Sequence, residues 1–271
     1  MTTDAGALDD EAFEALRVTR AGHVVTLTID HPRSPVNAVD GVLHDELGRA
    51  FRLLKREPIA RAAVLTGDGK AFSAGGDFEW FPTLRSLDVL DRLRRDAKQL
   101  IWDLLDVEIP IVCGLNGSAA GLAASIALLC DVVVMSERAV IVDPHVDVGL
   151  VAGDGGAAVW PLLLGPLAAK RHLLLGEPLR ADDALRVGVA AEICPAEQVA
   201  DRAMAWAERL AMRAPLAVRG TKAAVNAQLK RALLDSFDLS TALEIPCFLS
   251  ADHEEALAAL AEQRTPAFRG R

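Results

Sequence analysis

Between Val24 and Ile29 the chain alternates, with Val25, Leu27 and Ile29 apolar and Thr26 and Thr28 polar, the period of a strand that buries one face. Val18-Thr19-Arg20 precedes it across a turn at Ala21-Gly22, so the two runs predict a hairpin. His31-Pro32-Arg33-Ser34-Pro35 reads as a rigid connector. From about Asp40 to Lys55 the period changes, and Leu43, Leu47, Phe51 and Leu54 recur at helical spacing. Ala62 to Thr66 is a short buried strand that runs into the glycine-rich stretch Gly67–Asp77. The same order then returns. A helix from about Leu84 to Leu105 leads to a strand over Ile109–Leu115, a glycine loop and a helix ending near Leu129. Val132–Met135 and Ala139–Val142 are further strand-like runs, and Ala157–Leu164 is helical. Strands each followed by a loop and a helix predict an α/β fold. The repeat is inexact, so pattern alone does not make it a solenoid.

After Pro195 the strands stop. Ala196–Met212, Pro215–Leu234 and Glu254–Glu262 are rich in Ala, Leu, Arg and Glu and read as helices. The chain therefore divides into a flexible N-terminal segment (residues 1–16), an α/β core (17–199) and a C-terminal helical domain (200–271). The last part is alanine-rich and poor in aromatic mass, which suits close packing against another subunit.

Composition narrows the class. In 271 residues, 51% are hydrophobic and 25% charged, which excludes a disordered chain. The net charge of -9, with no stripe of Lys and Arg, argues against nucleic acid or an anionic membrane as partner. Four scattered cysteines (Cys113, Cys130, Cys194, Cys247) fit a reduced, cytoplasmic protein and offer no zinc-binding pairs. The acidic, polar start is not a targeting peptide. Ile109–Cys130 carries no charge and is long enough to span a bilayer, yet Gly114-Leu115-Asn116-Gly117-Ser118 would break a helix in its middle. A soluble protein is expected.

Three loops could carry chemistry. Ser73-Ala74-Gly75-Gly76-Asp77 follows a buried strand, and its glycines let a ligand approach main-chain N–H groups. It has neither a phosphate-loop ending nor dinucleotide-fingerprint spacing, and an ordinary tight turn explains it as well. Asn116-Gly117-Ser118-Ala119-Ala120-Gly121-Leu122 opens directly into a helix, whose first N–H groups would stabilise a developing oxyanion; crowded packing would also select such small residues. Asp143-Pro144-His145-Val146-Asp147 precedes Gly153-Asp154-Gly155, and a histidine held by a carboxylate is a general acid or base. A structural histidine and a helix N-cap are the plainer readings of His145 and Asp154. His23, His31, His44, His172 and His253 lack such a setting and read as structural.

Taken together, Ala71-Phe72-Ser73-Ala74-Gly75-Gly76-Asp77, Ile109-Pro110 with Asn116-Gly117, Gly121 and Cys130-Asp131, and then Val148-Gly149-Leu150 resemble the crotonase, or enoyl-CoA hydratase/isomerase, superfamily from about Arg17 to Arg264. The resemblance implies a spiral of ββα units with a C-terminal helical domain, assembled as a homotrimer or a dimer of trimers. It implies an acyl-CoA substrate, so that coenzyme A arrives with the substrate and no cofactor or metal is held permanently. Two backbone N–H groups, by position those of Ala74 and Leu122, would hold the thioester oxygen, with Gly75, Gly76 and Gly121 shaping the site. Asp77 would brace the first loop and Lys70 would neighbour the CoA phosphates. Hydratases of this family carry two glutamates where this chain has Ser125 and His145, so their usual two-carboxylate activation of water does not transfer. His145 and Asp154, followed by Trp160-Pro161, look similar instead to the 6-oxocamphor-hydrolase-like β-diketone hydrolases, and Glu244 falls near an acidic residue of their site. That subgroup lacks the intact first loop and has a histidine where this chain has Leu122. The expectation is therefore an acyl-CoA enzyme in which a His145–Asp154 pair replaces the glutamates. The alternatives are a CoA-independent β-diketone C–C hydrolase and a catalytically silent binding or scaffold member.

Overall fold

Alternating Val, Thr and Leu residues pair as expected, β1 (Leu16–Ala21) antiparallel to β2 (Val24–Ile29). The computed structural model describes Leu8 and residues 11–271. Much of the segment expected to be flexible (1–16) lies outside the described residues. Its end is fixed: Ala15 is buried, its N–H donates to Glu46 and its carbonyl accepts from the Asp30 N–H.

Helix α1 (Gly41–Leu54) starts where the Asp40 carboxylate accepts from the Leu43 N–H, and α2 (Leu87–Asp106) is capped in the same way by Ser86. Between them runs β3 (Ala62–Gly67), parallel to β2; β4 (Ile111–Leu115) lies parallel to β3. The uncharged run then resolves into a two-residue strand, β5 (Ala119–Ala120), and a buried helix, α3 (Leu122–Leu129). Strands β6 (Val132–Ser136) and β7 (Val140–Val142), helices α4 (Gly156–Leu164) and α5 (Pro166–Leu175), β8 (Leu179–Arg180), α6 (Ala181–Arg186) and β9 (Glu192–Cys194) complete the α/β part. Helices α7 (Val199–Ala211), α8 (Pro215–Phe248) and α9 (Ala251–Ala261) end the chain. Among the described residues no helix is long and apolar enough to cross a membrane.

The main sheet runs β1-β2-β3-β4-β6-β9, and a small one β5-β7-β8. Both faces of the main sheet are covered, which is why its central strands β3, β4 and β6 are apolar almost throughout. On one face Val25, Leu27, Leu65, Cys113 and Leu115 pack with Leu47 and Phe51 of α1, Leu104 of α2 and Ile126 of α3. On the other, Val24, Val64, Val112 and Val134 meet Ala203 and Ala207 of α7.

Helix α7, on the helical side of the expected boundary, packs on that second face. A cut at 199/200 would sever α7 from the sheet it covers, so the helical part that leaves the sheet begins at Pro215. Helix α8 also continues well past Leu234, and its last turns reach the loops that follow β7. The sequence pattern gives no sign of β8 or β9, which are too short to show a period.

Candidate active site

A cavity of about 730 Å3, its open mouth included, lies over the glycine loops and between α2 and α8. Its walls are apolar, from Val39, Trp80, Phe81, Leu84, Leu90, Leu150 and Phe248 among others; its polar lining is His44, Arg94, His145, Asp154, Thr241 and Glu244. Gly76, Gly121 and Leu122 contribute the main chain.

The first loop is held from behind by Asn37. This buried residue adopts the left-handed conformation, φ 53°, and its amide donates to the carbonyls of Asp68, Ala71 and Phe72. Its own carbonyl accepts from the Ser73 hydroxyl at 2.5 Å. The loop then adds to Val39, whose N–H donates to Gly75 and whose carbonyl accepts from the Asp77 N–H. Asp77 also accepts from the Glu79 N–H through its carboxylate, in the turn into Trp80.

This geometry corrects one expected donor. The Ala74 N–H is spent on the Val36 carbonyl at 2.9 Å, and Ala74 is exposed rather than part of the cavity wall. Gly76 does line the cavity, and its N–H donates to no group among the described residues. A side chain there would run into the Phe81 ring. The other expected donor, Leu122, lies at the cavity as well. Leu122 opens α3, so its N–H has no acceptor within the helix, and it too lines the cavity.

Gly121 turns the chain into α3 with φ +54°, and an added Cβ would lie 3.3 Å from His145 Cε1 and 3.7 Å from Asp154 Oδ2. His145 and Asp154 therefore sit directly against the second loop. His145 Nε2 is 3.4 Å from Asp154 Oδ2 and 3.8 Å from Glu244 Oε1, so the structure brings together the three side chains that the sequence spreads over a hundred residues. The orienting carboxylate, however, is Asp143. Its Oδ1 is 2.5 Å from His145 Nδ1, and its side chain is fully buried. Asp154 stands on the other nitrogen, the one that faces the cavity. The pair expected from sequence is thus a relay of Asp143, His145 and Asp154, with Glu244 beside it.

The charges of this cluster are strongly coupled. Burial lowers the basicity of His145, but the carboxylates of Asp154 and Asp143 outweigh it and raise its pKa well above the ordinary histidine value. Burial drives the Glu244 carboxyl up to about 8, with His145 opposing and Asp154 and Asp143 adding to the rise. Glu244 is therefore a protonated acid at neutral pH. Ligand atoms of Asp143, His145 and Asp154 lie within 4.8 Å of one another, close enough in principle to hold a metal ion. With a carboxylate on each ring nitrogen, the arrangement is equally suited to moving a proton.

Ser125 and Lys70, both counted in the expected substrate-binding set, lie outside the cavity lining. Ser125 is fully buried behind the wall, its hydroxyl against Gly155 rather than in the cavity. Lys70 is exposed and outside the cavity lining. Conversely, His44 is no plain structural histidine: it lines the cavity, and its buried Nε2 has no partner among the described residues. Its helical neighbour Leu43 belongs to the apolar stripe, and nothing in a one-dimensional pattern separates the two positions. For Asp143 a signal existed, its place two residues before His145, where a short turn brings the carboxylate back to Nδ1.

A six-stranded sheet covered on both faces thus carries two loop N–H groups, those of Gly76 and Leu122, in the same cavity as His145, Asp154 and Glu244. The enoyl-CoA hydratase/isomerase family profile matches residues 19–271, and the chain belongs to that family, with the crotonase fold. It is 29% identical over 244 residues to a mitochondrial enoyl-CoA hydratase of Pongo abelii, covering 90% of this chain and 82% of that protein. A crystal structure of an enoyl-CoA hydratase/isomerase from Mycobacterium paratuberculosis superposes with TM-score 0.86 at 36% identity, over 90% of this chain and 98% of that one. A β-diketone hydrolase from the cyanobacterium Anabaena, bound to (S)-3-oxocyclohexyl acetic acid, superposes with TM-score 0.84 at 28% identity, over 91% and 98% of the two chains.

Proposed function

We propose that the protein is an acyl-CoA-processing enzyme, by default a hydratase, in which the Gly76 and Leu122 N–H groups hold the thioester oxygen and His145 moves the proton. The observation that carries this reading is the presence of both unengaged donors in the same apolar cavity as the relay. Two fixed donors aimed at an enolate oxygen are each worth about 3–4 kcal/mol of barrier. Neither uses a side chain, so leucine at position 122 suits the role. Coenzyme A comes and goes with the substrate, and no resident cofactor is needed.

The proton inventory closes without the two family glutamates. Water adds its oxygen to the β-carbon of the enoyl thioester and gives a proton to Asp154. The resulting enolate takes a proton at its α-carbon from His145 Nε2, and the proton on Asp154 returns to His145 across the 3.4 Å contact. Asp143 holds Nδ1 throughout and favours the charged imidazolium.

Loss of the conjugated absorbance of crotonyl-CoA tests this directly in the wild type and in His145→Ala. Turnover reduced at least a hundredfold in the variant supports it. Turnover that survives the substitution would keep the hydratase and remove His145 from the chemistry. No turnover in either protein would withdraw the hydratase assignment for that substrate.

A second reading, cleavage of a β-diketone by water without coenzyme A, is favoured by the likeness to the Anabaena enzyme and by the neutral Glu244 acid beside the relay. Failure to bind free coenzyme A, together with turnover of a cyclic β-diketone, would select it.

A further inference from the structure

Among the described residues, Arg94 is the one arginine or lysine in the lining of the cavity. It stands on α2 in the run that presents Leu90, Leu93 and Ala97 to the same space, and nothing in the proton chemistry uses it. One nitrogen of its guanidinium donates to Asp91 at 2.9 Å, a pair three residues apart on the same helix. Asp91 is shared, because Arg95 reaches its other oxygen at 3.2 Å. The remaining Arg94 donors meet no acceptor among the described residues, and the side chain is only 31% exposed. A half-buried guanidinium with free donors on an apolar wall is a receptor for a carboxylate.

The other charges fix the orientation of such a ligand. Asp154 and Glu244 line the same cavity beside His145, and Asp143 lies immediately behind. A ligand carboxylate placed there would face the Asp154 and Asp143 carboxylates, and the His145 ring is already held between those two. Its carbonyl, in contrast, is drawn to the Gly76 and Leu122 N–H groups. One molecule therefore satisfies both ends if it carries a carbonyl at one end, a carboxylate at the other and an apolar spacer between. We propose that Arg94 is a specificity-determining residue and that the natural substrate is an activated carbonyl compound bearing a carboxylate remote from the reacting carbon.

This deepens the functional reading above by naming the distal group of the substrate, and it takes from that reading the place of the carbonyl. It does not depend on coenzyme A, so it can be tested without turnover. Calorimetric titration of the full chain with 6-oxoheptanoate and with its primary amide compares two ligands that share the ketone and differ in charge. The wild type is expected to bind the acid at least tenfold more tightly than the amide. Arg94→Gln should abolish that preference by weakening the acid far more than the amide, while Asp91→Asn, which releases Arg94 from its helical partner, should keep or increase it. Equal affinity for acid and amide, absence of binding of either, or a preference that persists in Arg94→Gln would overturn the proposal. Thermal melts of both variants check that they are folded; because Arg94 lies at the rim of α2 rather than in the core, wild-type-like melting is expected. A protein inactive on crotonyl-CoA that still prefers the acid would lose the hydratase assignment and retain this one.

Discussion

Glu244 shows how one buried carboxyl sets the pH behaviour of the whole site. Its side chain is 13% exposed and lies 3.8 Å from His145 Nε2, with Gly153 directly beneath it. Burial raises its pKa from 4.5 to about 8, so between those values the folded chain holds a proton that the unfolded chain has released. Stability must therefore fall as pH rises through that window. His145 acts in the same direction. Its raised pKa gives stability that is complete below about 6.5 and lost as pH climbs through the higher folded value. Glu244→Gln keeps the shape and removes the first contribution. The variant is expected to melt with a flatter pH profile between 5 and 8 and to exceed the wild type above pH 8, by about 2–4 °C for each kcal/mol recovered. Melting curves that run parallel across this range would refute the assignment of a neutral Glu244.

At the scale of elements, the site is a meeting of two loops with the ends of α3 and α8, and the first loop owes its shape to a residue outside it. Asn37 adopts φ 53° and ties Asp68, Ala71 and Phe72 through its amide and Ser73 through its carbonyl. With the loop so held, the Ala74 N–H meets Val36 and the Asp77 N–H meets Val39, and the Gly76 N–H between them stays free among the described residues. Asn37→Ala removes the amide, leaves three carbonyls short of a donor and puts a less tolerant side chain in the left-handed region; the expected cost is about 2–4 kcal/mol. Because Gly76 moves with the loop, kcat should fall more than KM rises, and the two effects are separated by steady-state kinetics on folded protein. A variant that melts earlier but turns over normally would make Asn37 purely structural. Much at this scale was legible in the sequence. The hairpin, α1, the β3 and β4 strands and the opening of α3 follow from period and glycine placement. The order of the glycine loops gave the family. What pattern could not show is which N–H a loop keeps free, because that depends on Val36 and Val39, which come from another part of the chain. The choice of Ala74 over Gly76 failed there. Asp143 was overlooked as the partner of His145 for a related reason: spacing in sequence does not say which ring nitrogen a carboxylate meets.

For the molecule as a whole, the surface carries more leucine than a chain standing alone should expose. Leu167 is 84% and Leu174 65% exposed, seven residues apart and so on one face of α5, and Leu163 of the preceding helix is 37% exposed. Leu216, at the start of α8, is 86% exposed. Exposed leucines on one helix face are the kind of surface that a second copy of the chain is expected to cover. The α4–α5 hairpin follows the segment bearing His145 and Asp154, and α5 packs on the turn that carries His145. Association through this face would brace the relay from outside and link assembly to activity. A homotrimer, or a dimer of trimers, is the expected solution state, with a sedimentation mass of roughly three or six times the 28.8 kDa chain. The double variant Leu167→Asp, Leu174→Asp places two charges on the exposed face and touches no cavity residue. It should sediment as a monomer, keep the far-ultraviolet circular dichroism of the wild type and lose most of its turnover. A wild type that sediments at one chain mass would refute the assembly, and a double variant that stays trimeric would move the interface away from α5.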